Sequence, residues 1–149
     1  MISYKKLQKI ADTRLKDSRV LYKRGQFNGA VYICGYANEF ALKAIICKKL
    51  KLHGIPNIKE EFQSITKTIE GIRTHDLEKL LELLRTLKGK KIVDEIHTDH
   101  SSEWNKILDW SPEQRYLPID EKSKKEWKKE ADELIKSTSK ILRYFWKKL

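Results

Sequence analysis

Residues 28–47 read NGAVYICGYANEFALKAIIC, and the rest of the chain is organised around them. The only charges in this stretch are Glu39 and Lys43, while Ala30, Ile33, Cys34, Ala37, Phe40, Ala41, Ala44 and Ile45 recur at helical spacing on a wide face. In a chain with 36% charged residues, a helix this apolar belongs at the buried centre of a bundle. Glu39 and Lys43 stand four apart with the acid first, the order that pairs well along a helix. Small residues at Gly29, Ala30, Gly35, Ala37, Ala41 and Ala44 let neighbouring helices come close. The uncharged run, 25–38, is shorter than the roughly 18 to 20 residues of a membrane span, and charges follow at once, so the membrane reading is set aside.

Working outward, residues 4–24 carry a stripe of Leu7, Ile10, Ala11, Leu15, Leu21 and Tyr22 that predicts a first helix, closed by Gly25. The link over 25–28 is short, which makes the first two helices antiparallel neighbours, with Asn28 as the expected N-cap of the second. Residues 51–56, KLHGIP, read as a loop, and Phe62, Ile65, Ile69 and Ile72 outline a short helix broken at Gly71. Leu77, Leu80, Leu81, Leu84 and Leu87 predict a helix over 76–87 that Thr74 can cap, with Asp76 at its start favoured by the helix dipole, and that Gly89 ends. Residues 89–100 read as a strand or extended loop, although a lone strand has no evident partner. A short helix over 102–110 places Trp104, Ile107 and Leu108 on one face, and Ser111 with Pro112 stops it. The last helix starts near Asp120, with Trp127, Ala131, Leu134, Ile135, Thr138, Ile141, Leu142 and Phe145 inward. The sum is one all-α domain over 1–149, an antiparallel bundle of four long helices plus one or two short ones.

Composition narrows the partners. Lys and Arg number 32 against 21 Asp and Glu, a net charge of +11 that favours anionic ligands, nucleic acid first among them. The alternative is that Lys-rich solvated faces reflect compositional bias alone, since no basic run is long enough to form an arm. The two cysteines, Cys34 and Cys47, lie nearly 20 Å apart along one helix at about 1.5 Å per residue and cannot bridge within it. They read as reduced core thiols of a cytoplasmic protein. The N-terminal MISYKKLQKIADTRLK is charged and amphipathic, unlike a secretory signal.

The phrase QFNGAVYICGYANEFALKA at 26–44 resembles the second helix of HEPN domains, a small-residue, Tyr-rich segment ending in E-x-x-L-K-A. The resemblance extends to HDL at 75–77, to W-x-x-x-x-R-Y at 110–116, and to the long closing helix. It implies a helical bundle, commonly a homodimer with a shared cleft. Many members are metal-independent ribonucleases in toxin, antiphage or RNA-processing systems, and others bind RNA or nucleotides without cutting. For a toxin, the implied partner is a nucleotidyltransferase-type antitoxin. The family's catalytic signature is an Arg followed after four to six residues by a His, the first holding the scissile phosphate and the second moving protons. No Arg in this chain has a His at that spacing. After Arg115 stand Asp120, Glu121 and Lys122, and a carboxylate there would repel the phosphate.

Three readings follow: an RNA- or nucleotide-binding protein without the usual ribonuclease pair; a metal-independent endoribonuclease using Arg115 with His75 or His97; and a protein-interaction module. The binding candidates are Arg115, Tyr116, Lys43, Glu39 and Tyr36. Against this, Arg115 could tie structurally to Glu39 while Tyr116 packs on Trp110, and Tyr32 with Tyr36 could be core. His97, His100, Asp94, Glu95 and Asp99 are metal-ligand types, but no metal-site spacing supports them, and they read as a solvated segment; no cofactor or metal is expected.

Overall fold

A computed structural model describes residues 2–49, 54–55 and 70–149. The all-α bundle expected from the pattern is what forms. Helix α1 spans Tyr4–Lys23 and α2 spans Phe27–Lys49. Three short helices follow, α3 Leu77–Leu84, α4 Lys90–Asp99 and α5 Ser101–Leu108, and α6 closes the chain over Lys124–Lys148. Two-residue strands Ile2–Ser3 and Gly54–Ile55 pair antiparallel. Among the described residues three helices are long, α1, α2 and α6, where four were expected, and α3, α4 and α5 are short.

Helix α2 is the core. From Ala41 to Cys47 every residue is buried, so this part of the helix is enclosed on all sides by α1, α3 and α6. By length and composition α2 could cross a membrane, but 78% of its most apolar window is buried by the bundle itself. A polar seam crosses this core. Thr138 of α6 accepts from Asn38 Nδ2 at 2.8 Å and from the Cys34 thiol at 3.4 Å. Burial pushes both thiols up, Cys34 and Cys47 each to about 11.

The turn between α1 and α2 has the expected geometry. Gly25 sits at φ +76°, and the Gly25 and Gln26 amides return to the carbonyls of Tyr22 and Leu21, which closes α1 in a Schellman turn. Asn28 is not the N-cap of α2. The helix begins one residue earlier, at Phe27, so Asn28 lies in its first turn.

Further expectations change. Residues 62–69 lie outside the described residues, but Gly71 falls inside a helical turn at 70–72 instead of breaking it, and Ile72 beside it is fully buried. The cap of α3 is Asp76, whose carboxylate accepts from the Glu78 and Lys79 amides, while Thr74 accepts from the Asp76 amide. The residues read as a strand or loop are helix α4, with Ile92, Val93 and Ile96 buried on one side. The chain leaves α3 through a kink in which Lys88, not Gly89, takes the left-handed conformation, at φ +67°. Gly89 is needed for space: a Cβ there would lie 2.5 Å from the Leu84 carbonyl oxygen. After α5, 3-10 turns Pro112–Tyr116 and Ile119–Glu121 lead to Ser123, which caps α6, and the helix starts at Lys124, four residues beyond Asp120.

Candidate functional site

Glu39 is fully packed inside the bundle, 1% exposed, and its carboxylate is not left alone. Lys43, one turn on, donates to Oε1 at 2.6 Å. His75, in the short approach to α3, donates from Nδ1 to the same carboxylate, 3.0 Å from Oε1 and 3.1 Å from Oε2. A carboxylate can only accept, so this contact puts the His75 proton on Nδ1 and leaves Nε2 as the reactive nitrogen. The imidazole itself stands in the open, its side chain 61% exposed.

The ring borders a cleft of about 520 Å³. Tyr36 lies one turn before Glu39 on α2 and meets the His75 ring edge-on at 6.5 Å and the Trp110 ring at 5.1 Å. Trp110 is fixed by Gly35: a Cβ on that residue would lie 1.9 Å from the indole, so only glycine lets the ring seat against α2. Its Nε1 then donates to the Tyr32 carbonyl at 3.2 Å. Asp76, Glu78 and Glu113 also line this cleft, which makes it acidic apart from His75. The Glu78 and Lys79 amides at the start of α3 are already taken by the Asp76 carboxylate. A neighbouring cleft of about 540 Å³ shares Trp110, Ser111 and Glu113, and its lysines are already paired, Lys106 with Glu133 and Lys122 with Glu130.

Of the residues singled out by sequence, Tyr36, Glu39, Lys43 and His75 come together here. Glu39 and Lys43 are buried, so they can act on a ligand only through His75, not as direct contacts. Glu39 partners Lys43 and His75, while the Arg115 tie considered above lies outside the described side chains. The structure describes the backbone of Arg115 and Tyr116 but not their side chains; that backbone belongs to the 3-10 turn whose Pro112 and Glu113 line the cleft. His97 is on the exposed face of α4 and does not line the cleft. Asp94 pairs with Arg85 and Lys90, Glu95 with Tyr144 and Lys148, and the His100 ring packs on Tyr144. Among the described residues no cluster of His, Cys, Asp and Glu is arranged to hold a metal ion. Sequence reasoning missed the role of Trp110 as a cleft wall and the link from Glu39 to His75. The second was not legible, because 36 positions separate the two residues.

The HEPN domain family model matches residues 4–60, so the recognition made on the α2 phrase holds over α1 and α2. No curated protein and no solved structure matches the chain significantly.

Proposed function

Because the HEPN domain family model matches residues 4–60, we propose that this chain is a HEPN-type RNA- or nucleotide-binding protein whose ligand enters the cleft between Tyr36, His75 and Trp110. The observation that carries this reading is His75. A solvent-facing imidazole held on both oxygens of a buried carboxylate has a fixed tautomer and a fixed direction, and it stands beside aromatic rings on which a base can stack. The same contact favours a second reading, a metal-independent endoribonuclease in which His75 Nε2 moves the proton and Arg115 meets the phosphate. A homodimer with a shared cleft, an antitoxin partner and a cytoplasmic setting belong to the same proposal.

The test is incubation of the protein with a mixed RNA pool in chelator, beside His75→Ala, His75→Gln and Arg115→Ala, with both retention and cleavage read out. Retention that weakens at least severalfold in both His75 variants, without cleavage, is the expected result. Cleavage that leaves cyclic phosphate ends and disappears in the His75 variants would put the enzyme reading first. Neither retention nor cleavage by the wild type would sink both and leave the interaction module.

A further inference from the structure

We propose that the groove between α1 and α6 holds the phosphate backbone of a single-stranded RNA, an assignment that rests on the RNA-binding reading above. The cleft at His75 is lined by three carboxylates, so the phosphates of a bound strand need cations elsewhere. This groove, about 380 Å³, supplies them. Arg19 and Lys23 from α1 face Lys136, Lys140 and Arg143 from α6, five cations against the single carboxylate of Asp132. On each wall the cations recur about one turn apart, close to 6 Å, so they form two rows along the groove instead of one cluster.

These charges are only partly neutralised. Lys136 pairs with Asp132 at 2.9 Å and Lys140 with Glu103 at 3.3 Å. Among the described residues no carboxylate pairs with Arg19, Lys23 or Arg143. Arg19 donates to the Ser139 hydroxyl at 3.1 Å and Arg143 Nε to the Ser139 carbonyl at 3.4 Å, which holds both guanidinium groups over the groove. Like charges lining one groove repel each other, and a polyanion relieves that repulsion. The lining is mostly apolar between them, with Tyr22 and Ile135 exposing surface on which a base can rest.

An extended occupant is favoured over a compact anion because the cations stand in two rows and further depressions lie beyond the end of α1. Two residues on from Lys23, a depression opens around Gly25, Lys124 and Trp127. Trp127 also lines the next one, with Tyr32 and Gln114. The Tyr32 hydroxyl meets that of Tyr36, at the cleft, at 3.3 Å. Separate depressions thus lie between the end of α1 and the cleft at His75, where a strand longer than the groove would cross them.

The experiment measures binding of a short mixed-sequence single-stranded RNA over a range of salt concentrations. It compares wild type, Arg19→Gln/Arg143→Gln, and a control with the same loss of charge on other exposed lysines, Lys5→Gln/Lys91→Gln. For three to four phosphate contacts, raising salt from about 50 to about 200 mM should weaken wild-type binding roughly 20- to 50-fold. The groove variant should lose less than about 10-fold over the same range, its logarithmic slope smaller by about 1.4, while the control keeps the wild-type slope. Equal slopes in the two double variants would overturn the groove and leave RNA binding intact. Poly-glutamate binding as tightly as the RNA would overturn it in favour of an acidic protein partner, and no RNA binding at all would overturn both this assignment and the reading beneath it.

Discussion

Glu39 is a charge buried in the core and held by Lys43 and His75. Its carboxylate and the Lys43 ammonium have both left water, and neither is tolerable there without the other. Glu39→Gln keeps the shape but strands the Lys43 charge, and should destabilise the fold by about 3 to 5 kcal/mol in urea unfolding. Adding Lys43→Met should restore most of that loss, because the pair is replaceable by apolar packing once neither charge remains. A single variant as stable as wild type would mean that Lys43 reaches water on its own. The double variant is also informative about function: it keeps a core but removes the carboxylate that orients His75, so RNA retention should fall even where stability returns. The helical spacing of Glu39 and Lys43 was legible in the sequence, since local pairs follow from the 3.6-residue repeat. Their third partner was not, because no periodicity relates a buried acid to a histidine 36 positions further on.

Among the elements, α4 departs most from its sequence reading. Its apolar residues Ile92, Val93 and Ile96 are too few for a clear stripe, and the preceding Lys88–Gly89 pair looks like a turn into an extended segment. Tertiary contacts hold it as a helix against the end of α6: the Tyr144 hydroxyl donates to Glu95 at 2.5 Å, and Lys148 pairs with the same carboxylate at 3.1 Å. These partners, Tyr144 first, hold the Glu95 carboxyl below its usual range, and burial with the adjacent Glu95 pushes the Tyr144 phenol up. A depressed carboxyl stabilises the fold at pH values above its unfolded pKa of about 4.3, and that contribution is lost as pH falls through the lower folded value. The stability advantage of wild type over Glu95→Gln should therefore be complete at neutral pH and gone in strong acid, as followed by thermal melts across that range. An advantage that persists unchanged at about pH 2 would mean that the carboxylate charge is not what joins α4 to α6.

For the whole molecule, the enclosure of α2 has a chemical consequence. Cys34 and Cys47 are both buried, and with burial pushing each thiol up to about 11 there is little thiolate to react near neutral pH. Neither should be alkylated by iodoacetamide in the native protein at about pH 8, and both should react together once denaturant unfolds the bundle. Reaction of one well before the other would show that α2 opens at one end without global unfolding. The sequence by itself determined the all-α bundle, the central place of α2 and the first turn, because each depends on local periodicity, backbone freedom and the scarcity of apolar residues elsewhere. It also set the helical spacing that pairs Glu39 with Lys43 on α2. Only the tertiary structure decided that Gly35 exists to seat Trp110, that the cleft is acidic, and that the cations gather between α1 and α6. Those facts depend on which helix faces pack together, and residues more than 100 positions apart, such as Arg19 and Ser139, meet only after the chain has closed on itself.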